Sequence, residues 1–318
     1  MSQDTAFLLC PGQGAQAVGM GSSWHAASSA ARSIFERADA MLGDRLGAPL
    51  SRLCFEGPSE AINRTNVSQP AIYTCGVACH AGLVESQGPI AAAGAAGLSL
   101  GEYTALHLAG VFDFETGLDL VANRGHLMQQ AAEASSGSMV ALIGAEEAEA
   151  EQLCRDVLAT LGDDAVLVPA NFNAPGQIVL SGSLAACQAA EAMGMERGWR
   201  AKELTVAGAF HSSLMAPAAE SMREHLAEVD FSSPSIPVWS NVTAQPHLVD
   251  DPEQMKQSLV EQITQPVRWS QSCEAMFAAG PSTCLELAPG KVLKGLMRRI
   301  NRDVKVLTHD EPSQASAN

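Results

Sequence analysis

Gly97-Leu98-Ser99-Leu100-Gly101-Glu102 decides how this chain is read: a serine stands between two glycines where an extended run gives way to a helix. Before it, Pro89 to Ala96 is a small-residue apolar stretch of strand length. After it, Glu102 to Ala109 (EYTALHLA) has the composition of a helix, and Gly110 marks its end. Strand, tight turn and helix in that order make a nucleophile elbow, whose glycines allow backbone angles and approaches that a side chain would block. Such a turn lifts the serine hydroxyl clear of the sheet and leaves N–H groups at the helix start for an oxyanion. To be more than a turn, the motif needs a base and an oxyanion partner elsewhere in the chain.

Composition narrows the field. The 318 residues suffice for one large domain or two modest ones. Hydrophobic content of 47% with 17% charged residues is that of an ordinary globular protein. A net charge of −16 and an isoelectric point near 4.8 argue against nucleic acid or an anionic membrane as the main partner. The eight cysteines contain no CxxC pair and read as reduced, mostly buried thiols of a cytoplasmic protein. MSQDTAFLLCPGQG has no basic leader region, and no stretch approaches the length of a membrane span. Both point to a soluble, cytoplasmic protein.

Upstream of the elbow, Ala6 to Cys10 (AFLLC) reads as a buried strand running into a tight loop, Pro11-Gly12-Gln13-Gly14. No G-x-G-x-x-G follows and no Gly-Lys-Ser/Thr occurs, which rejects nucleotide binding. A helix from about Ser28 to Leu42 precedes a Pro/Gly-punctuated stretch to Glu60, and Gln69-Pro70 introduces a helix, Ala71 to Val84, without a strong polar face. Downstream, a helical pattern over Phe114 to Ala132 carries Arg124; on spacing alone a surface salt bridge and an anion clamp fit equally.

From Ser138 to about Val206 the pattern is β-α-β-β-α-β, the ferredoxin-like arrangement, read as a small domain inserted in a larger one. Gly208-Ala209-Phe210-His211-Ser212 then returns the chain just before a helix, Leu214 to Val229. Seven other histidines (25, 80, 107, 126, 225, 247 and 309) compete with His211 as the base. Val238 to Val242 is a strand ending in a polar turn, Gln262 to Val267 ends a helix, and Trp269 to Ala279 forms another. Cys284 to Gly290 reads as strand and turn, Val292 to Ile300 as a helix, and His309 to Asn318 as a frayed polar tail. Against the acidic background, Lys291, Lys294, Arg298, Arg299, Arg302 and Lys305 form a basic cluster. It is a solvated helix face or a docking surface for an acidic partner.

PGQGAQ, GLSLGE, NRGHLMQ, NFNAPGQIVLSG, GAFHS, SNVTAQP, QPVRW and ELAPGKVLKGL, in this order, run through almost the whole chain. The set resembles the malonyl-CoA:acyl carrier protein transacylases of bacterial fatty acid synthesis, and equally the acyltransferase units of polyketide synthases. The resemblance implies an α/β fold. A large α/β-hydrolase-like domain with a central, mostly parallel sheet takes residues 1–137 and 207–318, and the ferredoxin-like insert takes 138–206. It implies Ser99 as nucleophile, His211 as base and acid, and the Gln262 backbone carbonyl as the group orienting that histidine. The N–H groups of Gln13 and Leu100 would form the oxyanion hole, and Arg124 would grip the free carboxylate of the malonyl group. Phe210 resembles the pattern that excludes a branched acyl group, and Asn171 matches a position near the active site.

One departure is visible: many relatives have histidine before the serine, where this chain has Leu98. The implied substrates are malonyl-CoA and an acidic acyl carrier protein docking on the basic cluster, with no metal or organic cofactor, and nothing demands more than a monomer. A serine hydrolase shares the elbow and histidine, and an inactive carrier-binding module is the rival from another class. The sequence does not separate the fatty acid role from a stand-alone polyketide one.

Overall fold

A computed structural model of the chain describes residues 5–278 and 280–312. In chain order the strands are β1 (Ala6–Cys10), β2 (Ala92–Gly97), β3 (Gly137–Ile143), β4 (Leu167–Ala174), β5 (Gln177–Ser183), β6 (Arg200–Glu203), β7 (Val238–Trp239), β8 (Thr283–Leu287) and β9 (Lys305–His309). They form a parallel sheet of order β7-β2-β1-β8-β9 and an antiparallel sheet of order β4-β5-β3-β6. The protein is a mixed α/β fold.

By Cα proximity the chain divides into two compact units. One takes the chain up to Gly125, Val229–Trp239 and the chain from Met276 onward; the other takes His126–Glu228 and Ser240–Ala275.

The first unit holds the parallel sheet. Every residue of β1 is buried, so AFLLC does not alternate: an interior parallel strand is covered on both faces. Register pairs Cys10 with Gly97. The loops that follow β1 and β2 therefore leave the sheet side by side at its carboxyl edge, where open α/β sheets bind ligands. The helix Ser29–Leu42 starts where its sequence says, with the Ser28 side chain accepting from the Ala31 N–H and with Ile34, Phe35, Ala38 and Leu42 turned inward.

Three expectations change in this unit. The helix introduced by Gln69-Pro70 begins earlier and spans Thr65–Gln87, with Pro70 inside it. Pro70 lacks the N–H that would close one helical bond, and burial of the surrounding face overrides that loss. The punctuated stretch before it contains two short helices, Leu50–Glu56 and Ser59–Ile62, each started by a proline at its N-cap. Proline is tolerated at helix starts, so punctuation there marks beginnings. Finally, His309 belongs to an edge strand, β9, and its carbonyl accepts from Trp24 Nε1 at 2.9 Å. Of the expected frayed tail, residues 313–318 lie outside the described residues.

In the second unit, helices Glu147–Leu161 and Leu184–Glu196 pack their apolar faces on the antiparallel sheet. Val140, Leu142, Leu153, Phe172, Ile178 and Leu180 fill that layer. The expected helix over Leu214 to Val229 is a 3-10 turn, Ser213–Met215, followed by Ala216–Ala227. No helix among the described residues is long and apolar enough to cross a membrane. All eight cysteines are buried.

Candidate active site

The serine elbow is built by exclusion. Ser99 has φ 52°, a left-handed backbone that non-glycine residues rarely adopt. A Cβ on Gly97 would overlap the Gly101 backbone, and one on Gly101 would overlap the Cys10 carbonyl. A Cβ on Gly12 would overlap the Leu98 carbonyl, so the loop after β1 lies directly against the elbow. Leu98 N–H donates to the Cys10 carbonyl at 3.1 Å, which ties the turn to β1.

The N–H groups of Gly101, Glu102 and Tyr103 donate back to the carbonyls of Leu98, Ser99 and Leu100. The N–H of Leu100 has no acceptor among the described residues, nor has that of Gln13, whose side chain reaches Thr65 Oγ1 at 3.3 Å. Two main-chain donors on adjoining loops, one beside the serine, are what an oxyanion hole requires.

Arg124 is only 1% exposed, which removes the surface salt bridge from its two readings. Carried by the helix Phe114–Ala134, its Nη1 donates to Gln69 Oε1 at 2.6 Å and its Nη2 to Ser99 Oγ at 3.1 Å. The guanidinium carbon lies 5.6 Å from the centre of the Tyr103 ring. Burial draws the Arg124 pKa down from its ordinary value, and Tyr103 and Glu102 oppose that shift. Arginine stays charged under such pressure, so a cation is held beside the serine hydroxyl. Sequence reasoning passes over Gln69, whose only signal is an uncharged polar residue on a helix lacking a polar face.

The histidine lies in the second unit. His211 has φ 57° and is 4% exposed. A Cβ on Gly208 would come 2.5 Å from Ala132 Cβ, and one on Gly137 2.7 Å from Ala209 Cβ, so this loop is seated on the helix end and on β3. Ser212, fully buried, donates its hydroxyl to the Ala209 carbonyl at 2.7 Å and accepts from the Leu214 N–H at 3.3 Å.

His211 Nδ1 lies 2.7 Å from the Gln262 carbonyl oxygen. A carbonyl can only accept, so Nδ1 carries the proton and the ring lone pair is on Nε2. Gln262 is the C-cap of the helix Pro252–Glu261, where carbonyls lack helical partners and the dipole is negative. A helix end thus supplies the orienting acceptor that a carboxylate supplies in other triads.

Phe210 is buried next to His211, and Asn171, 8% exposed, lies on β4 at a bulge. There the neighbouring Phe172 N–H donates to the Val267 carbonyl at 2.9 Å, anchoring the segment after Gln262. Among the competing histidines, His107 Nδ1 is 3.0 Å from the Phe112 carbonyl. No group of three or more His, Cys, Asp or Glu side chains that could hold a metal occurs among the described residues.

The basic cluster surrounds the helix Val292–Ile300, which buries Leu293, Leu296 and Met297 and exposes Arg298 and Arg299. Lys291, Arg302 and Lys305 are exposed too, and Lys294 is half-buried. The start of that helix is held by Glu286, fully buried on β8, which accepts from the N–H groups of Leu293 at 2.7 Å and Lys294 at 2.9 Å. Burial pushes the Glu286 carboxyl up to about 7, against the pull of those two bonds.

Residues 7–310 match the acyl transferase domain family. The malonyl CoA-acyl carrier protein transacylase of Bacillus subtilis is 39% identical over 308 residues, 96% of this chain and 93% of that one. Among solved structures, the malonyl CoA-acyl carrier protein transacylase of Coxiella burnetii superposes with TM-score 0.91 at 33% identity, covering 97% of this chain and 94% of its own. A malonyl-transacylase solved in complex with a type II polyketide acyl-carrier protein gives TM-score 0.90 at 33% identity, covering 98% and 97%. The chain belongs to the acyl transferase domain family.

Proposed function

We propose that this chain moves the malonyl group from malonyl-CoA to the phosphopantetheine thiol of an acyl carrier protein, through a malonyl ester on Ser99, in the service of fatty acid synthesis. The observation that carries the reading is the buried guanidinium of Arg124 donating to the serine hydroxyl. A malonyl group is an acyl carbon with a free carboxylate two bonds away. A fixed cation beside the nucleophile suits such a donor and is of no use to an ordinary esterase, which speaks against the hydrolase rival.

In this reading Ser99 Oγ attacks the thioester carbonyl as His211 Nε2 takes its proton. Negative charge collects on the carbonyl oxygen, facing the N–H groups of Gln13 and Leu100. The C–S bond then breaks, and His211 returns the proton to the departing CoA thiolate. The carrier thiol reverses the sequence: its proton goes to His211, its sulfur takes the malonyl carbon, and the proton ends on Ser99. Neither half needs a metal or an organic cofactor. Phe210 crowds out branched acyl groups, and Asn171 borders the site. Leu98 sits outside these roles.

The same reading assigns 1–137 and 207–318 to an α/β-hydrolase-like domain around the parallel sheet, working as a cytoplasmic monomer. It assigns 138–206 to a ferredoxin-like insert, supported by the strand order β4-β5-β3-β6 with two helices on one face. A polyketide role shares the chemistry, and the carrier complex among the structural relatives comes from such a system.

Intact-protein mass spectrometry after mixing with malonyl-CoA tests the reaction. A malonyl adduct absent from Ser99→Ala and cleared by holo carrier protein is expected; CoA release without an adduct would instead establish a hydrolase, and neither adduct nor release the inactive module. The exposed Lys291, Arg298, Arg299 and Arg302, with Lys294, are proposed to dock the acidic carrier. Charge reversal at Arg298 and Arg299 should slow discharge to carrier protein several-fold at low salt and leave acylation unchanged; equal discharge rates would remove the patch from the reaction.

A further inference from the structure

Arg124 can select a carboxylate only if its guanidinium is held in one orientation and keeps its charge. Gln69 is fully buried on the helix Thr65–Gln87, one residue before Pro70, and accepts the Arg124 Nη1 proton at 2.6 Å. Ser99 Oγ accepts from Nη2 at 3.1 Å, and the Tyr103 ring lies 5.6 Å from the guanidinium carbon. These contacts fix both terminal nitrogens and the plane of the fork. We propose that Gln69 is the positioning residue that sets the acyl selectivity of this site, as a neutral acceptor that orients Arg124 without consuming its charge.

The choice of amide over carboxylate carries the argument. A glutamate side chain at this position would reach the same nitrogen with nearly the same shape. It would form an ion pair with Arg124, and together with the field of Glu102 it would cancel the potential that attracts the donor's carboxylate. An apolar side chain would do the opposite: the charge would remain and the orientation would be lost. The residue that selects malonyl thus depends on a neighbour that touches neither the reacting carbon nor the leaving group. The inference rests on the malonyl-transfer reading.

The test is competitive loading of Ser99 from equimolar malonyl-CoA and acetyl-CoA, read as the ratio of the two adducts by intact mass. Wild type, Gln69→Glu and Gln69→Met are compared. The ratio does not depend on how much of each preparation is folded. Gln69→Glu should lower the malonyl-to-acetyl ratio by about 30-fold or more and Gln69→Met by about tenfold, the larger loss falling on malonyl in both. A ratio within threefold of wild type in Gln69→Glu, or equal losses with both donors, overturns the assignment. If Gln69→Glu does not fold, the ratio in Gln69→Met decides by the same threshold. Wild type forming no malonyl adduct at all would strike the transfer reading itself, a result distinct from any change in ratio between variants.

Discussion

Ser99 and His211 are two of the three non-glycine residues with positive φ among the described residues, and the chain holds each by a different physical means. At the elbow, strain is enforced by space. Gly97, Gly101 and Gly12 let three backbone segments approach so closely that no side chain fits between them, and the serine has one way to turn. At the histidine loop, close approaches at Gly208 and Gly137 seat the segment, and polar contacts set the residue itself: the buried Ser212 hydroxyl makes two bonds to its own loop, and a helix-end carbonyl fixes the ring. The contrast follows from what each residue must do. A nucleophile needs an exposed oxygen on a rigid point, whereas a base needs one tautomer and one ring orientation.

The sharpest way to break this contrast is at the glycines. Gly101→Ala places a methyl group on the Cys10 carbonyl, and backbone on both sides leaves nothing flexible to move. We expect a loss of about 3 kcal/mol or more in unfolding free energy, with acyl-enzyme formation abolished. Denaturant titration and mass spectrometry on the same preparation measure both. A variant of near-native stability that still acylates Ser99 would show that the elbow is not held by exclusion.

The polar hold should yield more gently. Ser212→Ala removes the hydroxyl that donates to Ala209 and accepts from Leu214, at a cost of about 1–2 kcal/mol. Because the loop carries His211, kcat should fall by about tenfold while KM for malonyl-CoA, set around Arg124, stays within twofold. A rise in KM without change in kcat would mean that Ser212 does not serve the histidine.

The same contrast explains what can be read in advance. Exclusion leaves a local signature: glycines at fixed offsets from a serine, next to an apolar run. β1 at Ala6–Cys10 and the helix Val292–Ile300 are equally local, one as a continuous apolar run and the other as an amphipathic turn series, and both have the bounds that their residues suggest. Polar holds leave almost none. The acceptor for His211 is a backbone carbonyl 51 residues away, and any residue type could supply it. The Arg124 partner is 55 residues upstream, beside a proline that reads as a helix start and in fact sits inside one. β9 escapes for a related reason. A short edge strand gains its definition from pairing with β8, residue by residue from Thr283–Lys305 to Leu287–His309, which its own sequence does not encode.

The smallest effect tests whether a polar hold in the first unit behaves like the one in the second. In the sequence Glu286 reads only as part of a strand, yet it is fully buried and caps the basic helix through two N–H bonds. Its pKa, raised by burial to about 7, fixes the sign of its contribution. The folded protein binds this proton more tightly than the unfolded chain, whose carboxyl titrates near 4.5. The stability that Glu286 contributes is therefore complete below about pH 4.5 and is lost progressively as pH rises to about 7. The amide of Glu286→Gln keeps one acceptor and does not titrate. Unfolding free energies of wild type and Glu286→Gln at pH 5.5 and 8 should therefore differ by an amount that shifts in favour of the variant as pH rises. A difference that stays constant over that range would mean that the two N–H bonds outweigh desolvation, making the cap an ionised anchor for the basic helix at neutral pH.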